Sequence, residues 1–136
     1  MTYLLDTNTC VRYLNKRSQA VINRLRNTPE SEIVLCSVVK AELYFGEMKS
    51  QSPEATIQGQ RVFAERFTSL PFDDSAANYY AQIRADLAKK GTPIGGNDLM
   101  IAAIAMSNGL ILVTHNTGEF KRVDGLQIED WEVENP

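Results

Sequence analysis

With 136 residues, 43% of them hydrophobic, the chain is long enough for one respectable core and too short to divide comfortably, so residues 1–136 are expected to form a single domain. Its formal net charge of −3 argues against a general nucleic-acid coating protein, which presents an excess of Lys and Arg, but leaves open a nucleic-acid enzyme whose own carboxylates lower the total. The apolar runs are far shorter than a membrane span and Met1-Thr2-Tyr3-Leu4-Leu5 lacks the basic and apolar regions of a signal peptide, so a soluble, cytoplasmic protein is expected.

Tyr3-Leu4-Leu5 reads as a buried strand that stops at Asp6-Thr7-Asn8-Thr9 and turns into a helix through Cys10 to Leu14. Ser18 caps a second helix with Val21, Ile22 and Leu25 on its apolar side, ended by Thr28-Pro29. Ile33 to Cys36 is the next strand, and Ser37 is placed to cap a helix running through Val38, Glu42, Phe45 and Gly46 to about Ser50. Cys10 and Cys36 suit small buried residues and have no metal-ligand spacing. After the break at Gln51 to Glu54, a longer helix carries Ile57, Val62, Phe63, Phe67 and Leu70 as candidate core residues. Leu70-Pro71-Phe72 reads as a short edge strand, followed by a helix from Asp73–Ser75 with Ala76, Tyr80, Ile83 and Leu87 inward, stopped by Gly91 and Pro93. A helix capped by Asn97, the strand Leu110 to Thr114 and a last strand at Leu126-Gln127-Ile128 complete the chain. Continuous apolar strands alternating with amphipathic helices predict an α/β fold, a mostly parallel sheet between helical layers. Functional groups of such folds collect beyond the C-terminal ends of the strands, where Asp6, Ser37 and His115-Asn116 emerge.

Two acids break the apolar pattern. Asp98 shares a stripe with Ile101, Ala102 and Ala105, and Glu42 shares one with Val38, Phe45 and Gly46, so both carboxylates are predicted to point inward. A lone acid at a helix start is an ordinary cap, but an acid turned inward needs a cation, a metal or strong donors. Asp6, Glu42 and Asp98 are therefore expected to converge. Clustered carboxylates suit Mg2+ or Mn2+, which activates water and neutralises a phosphodiester leaving group. The chain has no Walker loop, no Gly-x-Ser-x-Gly elbow and one histidine, His115, expected to be a loop residue or substrate contact. Two rival readings, a phosphatase or receiver-type phosphotransfer domain and a non-catalytic α/β binding module, are less favoured. The first expects an acid where Asn8 stands, and the second has no use for three repelling acids.

Leu5-Asp6-Thr7-Asn8, Ala41-Glu42-Leu43, the run from Asn97 to Ala103, and Thr114-His115-Asn116-Thr117-Gly118-Glu119-Phe120 together resemble a PIN-domain ribonuclease, more narrowly a VapC-type toxin of a type II toxin–antitoxin pair. The resemblance extends over essentially the whole chain, including Val123 to Leu126 and Glu129-Asp130-Trp131. It implies a PIN-like three-layer α/β/α sandwich and Asp6, Glu42 and Asp98 as catalytic, metal-binding acids. It also implies an antitoxin that occludes the site, a homodimer, and a structured RNA substrate such as initiator tRNA cut in the anticodon region. Many PIN domains carry a fourth acid where Asn116 stands here. Asn116 can orient water or phosphate, while Glu119, three residues on, can supply the missing charge as a metal ligand. Thr7, Asn8 and Thr114 are candidate contacts to the acids or to a scissile phosphate, and Arg84 and Lys89 are the candidate cations for RNA.

Overall fold

The computed structural model describes residues 2–50 and 53–133, with only the backbone considered for 53–58. Five strands, β1 (Tyr3–Leu5), β2 (Ile33–Cys36), β3 (Thr68–Leu70), β4 (Ile111–Val113) and β5 (Gln127–Glu129), form one sheet in the order β3-β2-β1-β4-β5. Every pairing is parallel. Each connection must therefore cross over, and the crossings are helical: α1 (Thr7–Leu14) and α2 (Gln19–Arg26), then α3 (Ser37–Met48) and α4 (Pro53–Glu65), then α5 (Asp74–Lys90) and α6 (Gly96–Ser107), then the short α7 (Thr117–Phe120). The chain steps from β1 outward to β3, then returns to β4 on the other side of β1. Right-handed crossovers on either side of that reversal lie on opposite faces of the sheet, which gives the helix–sheet–helix layering and opens a crevice between the ends of β1 and β4.

Burial on both faces explains why the strands are apolar without alternation. All four residues of β2 and all three of β4 are buried, and Leu4 of β1 pairs with Val34 on one side and Leu112 on the other. α6 is apolar nearly all round because it is central: Leu99 and every residue from Ile101 to Ala105 are buried. Gly91 closes α5 at φ 68°, a left-handed position that a Cβ would strain.

Several boundaries differ from the sequence expectation. α6 starts one residue after Gly95, with no side-chain cap, so Asn97 lies inside the first turn and Asp98 is its third residue. Cys36, not Ser37, is the cap residue of α3. α4 ends at Glu65, and the edge strand is Thr68–Leu70, drawn into register with Val34 to Cys36 before Pro71, which has no N–H to extend the ladder. Leu70 is thus strand rather than helix, Phe63 and Phe67 are buried, and Val62 faces solvent at 60% exposure. The side chain of Ile57 lies outside the described residues.

Val38 of the expected stripe is buried, but past it α3 turns a different face inward. Val39, Leu43 and Glu47 are buried, Phe45 is 63% exposed, and Glu42 stands half-buried at the margin. The fully buried acid of α3 is Glu47, which lies off the expected stripe. α4 makes this tolerable: Arg61 Nη2 lies 3.6 Å from Glu47 Oε2, and the Gln60 amide nitrogen, in the orientation that satisfies both its ends, donates to Glu47 Oε1 at 2.9 Å. Glu47 Oε2 has no hydrogen bond among the described residues, which makes the pair costly to bury. Glu47→Gln keeps an oxygen for Gln60 and deletes the charge, so thermal melts should show a gain of a few degrees, from about 1 kcal/mol, and a loss for Arg61→Ala. A destabilised Glu47→Gln protein would instead show the ion pair to be a net asset.

Candidate active site

Asp6 follows β1 and is the N-cap of α1: its Oδ1 accepts from the backbone N–H of Thr9 at 2.8 Å. Its own N–H donates to Val113 O at 3.0 Å, which pins the acid into the crevice between β1 and β4. Thr9, a residue the sequence reading did not single out, also ties α1 to β4 through Oγ1 to Val113 O at 3.3 Å. Asp6 is only 5% exposed, and burial pushes its pKa up. Hydrogen bonds from Thr114 and Thr9 pull the pKa back, and the charge of Glu132 pushes it up again. Thr114 is itself fully buried, and its Oγ1 accepts from Asn116 N at 3.0 Å, so it links the β4 loop to Asp6.

The other acids approach from three elements. Glu42 of α3 accepts from Thr7 Oγ1 at 2.6 Å, which fixes the rotamer of a half-buried carboxylate and brings α3 to the start of α1. Asp98 rises from the first turn of α6 and has its pKa raised to about 6, first by burial and then by the charges of Glu119, Glu42 and Asp6. A carboxyl–carboxyl hydrogen bond with Glu119 favours the protonated form further. Glu119, on α7, also accepts from Asn116 Nδ2 at 2.7 Å. Asp6, Glu42, Asp98 and Glu119 are thus electrostatically coupled at one edge of the sheet, and Thr7, Thr114 and Asn116 hold three of them by side-chain hydrogen bonds. Asn8 is exposed on the first turn of α1. Arg84 points its guanidinium at the Tyr80 hydroxyl, 2.9 Å away, and lines a separate cavity of about 290 Å³ beside Gly96 and Leu99.

Four hard oxygen donors, one of them a carboxyl whose pKa is raised to about 6, form a set that a divalent cation would relieve of repulsion. The four stand wider than the ligands of one naked ion. Among the described residues, three ligand atoms come within 4.8 Å of one another only at His115, Asp130 and Glu132. Waters completing an octahedron can span the wider spacing. Because a cation must displace the Asp98 proton, apparent metal affinity should fall as pH drops below about 6, and Asp98→Asn should reduce that dependence, leaving the part that Asp6 contributes. Isothermal titrations with Mg2+ at pH 5.5 and 7.5 check this.

The hydrogen bond between Asn116 and Glu119 also bears on the open fourth position. Asn116 offers its amide N–H to Glu119, which faces Asp98, so the acid is the candidate ligand and the amide its positioner. Asn116→Ala is then expected to weaken Mg2+ binding in the same direction as Glu119→Gln, with the double variant little worse than the worse single one. Fully additive losses would assign the two residues independent roles.

The model of the PIN domain family matches residues 3–126. Among characterised relatives, the tRNA(fMet)-specific endonuclease VapC of Shigella flexneri is 42% identical over 131 residues, covering 96% of this chain and 98% of that protein. Its counterpart from Salmonella typhimurium is 40% identical with the same coverage. Among solved structures, DNA-bound VapBC from Salmonella typhimurium superposes with a TM-score of 0.91 at 40% identity, covering 96% of this chain and 98% of that one. VapBC2 from Rickettsia felis, bound to a DNA fragment from its promoter, gives 0.87 at 37% identity, covering 96% and 99%.

Proposed function

The chain belongs to the PIN-domain family, in its VapC group, and from that premise we propose that it is a Mg2+-dependent endoribonuclease, with Mn2+ able to substitute, acting as the toxic component of a type II toxin–antitoxin pair. The observation that carries this reading is the coupling of Asp98 to Glu119, Glu42 and Asp6 beyond the ends of parallel strands. Residues 1–136 act as one nuclease domain. The substrate proposed is structured RNA, initiator tRNA in its anticodon region, in line with the tRNA(fMet)-specific relatives. The partners proposed are a cognate antitoxin, in line with the VapBC complexes of related chains, seated so as to occlude the acidic crevice, and a second copy of the chain. No helix of the described residues is long and apolar enough to cross a membrane, and cytoplasmic action follows from the RNA substrate.

Asp6, Glu42, Asp98 and Glu119 would hold the cation. When bound, it supplies Lewis-acid stabilisation of the phosphodiester and a water acidic enough to act as nucleophile at neutral pH. The rest falls to the chain. Thr9, Thr114 and Thr7 lock Asp6 and Glu42 in single rotamers, and Asn116 steers Glu119 toward Asp98, so the acids are arranged before RNA arrives. The one histidine, His115, stands outside the four acids with its Nδ1 tied to Asp130, so attack by the RNA's own 2′-hydroxyl lacks the usual pair of general acid and base, and hydrolysis is the expected chemistry. The products of antitoxin-free protein incubated with total cellular RNA and Mg2+ should carry 5′-phosphate and 3′-hydroxyl ends. 2′,3′-Cyclic phosphate ends would overturn the mechanism.

A further inference from the structure

Four grouped carboxylates attract cations and repel RNA, so a cation on their rim has work to do. The loop after β4 supplies one. His115 stands between Thr114, which hydrogen-bonds Asp6, and Asn116, which hydrogen-bonds Glu119. Its Nδ1 lies 2.9 Å from Asp130 Oδ2 and 3.8 Å from Glu132 Oε2. Asp130 is held in turn, since its Oδ1 accepts from the backbone N–H of Glu132 at 2.9 Å. The ring is 57% exposed, and its Nε2 makes no hydrogen bond among the described residues. We propose that His115 is an RNA-binding residue: Asp130 and Glu132 anchor its Nδ1, and Nε2–H donates to a backbone phosphate of RNA entering the acidic crevice. This rests on the ribonuclease reading above.

The trio of His115, Asp130 and Glu132 has ligand spacing, yet its charges are already answered from within. Arg12 Nε faces Glu132 Oε1 at 3.6 Å, and Asp130 uses one oxygen on backbone and the other on the imidazole. A metal there would compete with Arg12 and with two hydrogen bonds, whereas a phosphate at Nε2 disturbs none of them. The groups facing the ring are Asp130 and Glu132 of the C-terminal segment, which favour the imidazolium, and Arg12 of α1, which opposes it. The hydrogen bond that His115 Nδ1–H donates to Asp130 leads, and the pKa of His115 is raised above its ordinary 6.5. The ring is therefore charged at the low end of the physiological range and loses its charge as pH rises through the elevated pKa.

Cleavage of bulk tRNA by the full chain at saturating Mg2+, followed from pH 6 to 8.5, tests this. Wild-type KM should rise with pH as the imidazolium is lost. His115→Gln should raise KM at pH 6 by about three- to tenfold, flatten its pH dependence and lower the salt slope of log KM by about 0.7. His115→Lys should hold KM low across the range, and Asp130→Asn should move the KM rise to lower pH. Unchanged KM and salt slope in His115→Gln, or His115→Lys as impaired as His115→Gln, would overturn the proposal, as would a loss confined to kcat. Failure of the wild type to cleave would reject the ribonuclease reading and this inference with it, whereas the other failures leave that reading standing.

Discussion

Asp98→Asn is expected to lower RNA-cleavage turnover by at least about a hundredfold without unfolding the protein, and Asp6→Asn and Glu42→Gln to do likewise. The side chain at 98 comes from the first turn of α6, a helix whose next residues are buried, and Asn is close to isosteric. Scaffold and helix start are thus retained, and the loss reads the charge. Because the four acids are proposed to act on one cation, each single loss removes most of the effect, and double variants should fall far short of the product of the single ones. Asn8→Ala gives the contrast, an exposed neighbour of Thr7 whose substitution should cost less than any of the acids. Turnover within a few-fold of wild type for Glu42→Gln would remove Glu42 from the site.

The second large effect concerns stability and has the opposite sign. In metal-free protein, Asp98 is held at a pKa of about 6 by burial and by Glu119, Glu42 and Asp6, above its ordinary 3.8. The folded state then binds a proton that the unfolded chain has released, so this group's contribution to stability is present below about pH 4 and is lost as pH rises to about 6. Asp98→Asn removes that loss. In EDTA at pH 7 the variant should therefore melt above the parent, and the gap should close as pH falls toward 4. Added Mg2+ reverses the order: at a hundred times its Kd it stabilises the parent by about 2.7 kcal/mol, several degrees in Tm for a chain of this size, and the variant by much less. A side chain serving only as a helix-start residue predicts the contrary, a small destabilisation with the metal response unchanged.

What the sequence made legible divides along physical lines. The parallel strands were readable because burial on both faces leaves an uninterrupted apolar run, as in Ile33 to Cys36 and Ile111 to Val113. Asp6 was readable from its place where the first apolar run stops, and Asp98 as a charge on an otherwise apolar helical stripe. Glu42 is near the crevice, but not for the reason that helical spacing suggests. Phe45, its supposed partner on the inner face, is exposed, and α3 buries Glu47 instead, because the face is chosen by Gln60 and Arg61 of α4, far along the chain. Helical spacing alone could not choose between the two stripes. The edge strand was displaced because Thr68–Leu70 owes its conformation to pairing with β2 and has little strand pattern of its own. Asp130 and Glu132 were passed over as site residues although a usable signal existed: β5 runs parallel to β4, so residues just past Glu129 emerge at the same edge as Asp6 and Thr114. Asn116 and Glu119 could not be ranked from sequence because their hydrogen bond depends on the short α7, which carries too few residues for a periodic pattern.

The most direct measurement is single-turnover cleavage of purified initiator tRNA by antitoxin-free protein, in EDTA and then with Mg2+ restored, alongside Asp98→Asn under the same conditions. A metal-dependent carboxylate site predicts a discrete cut in Mg2+, no cut in EDTA, full recovery when Mg2+ is returned, and no cut by the variant at any Mg2+ concentration. Cleavage undiminished by EDTA, or a variant that cuts as fast as its parent, would contradict it.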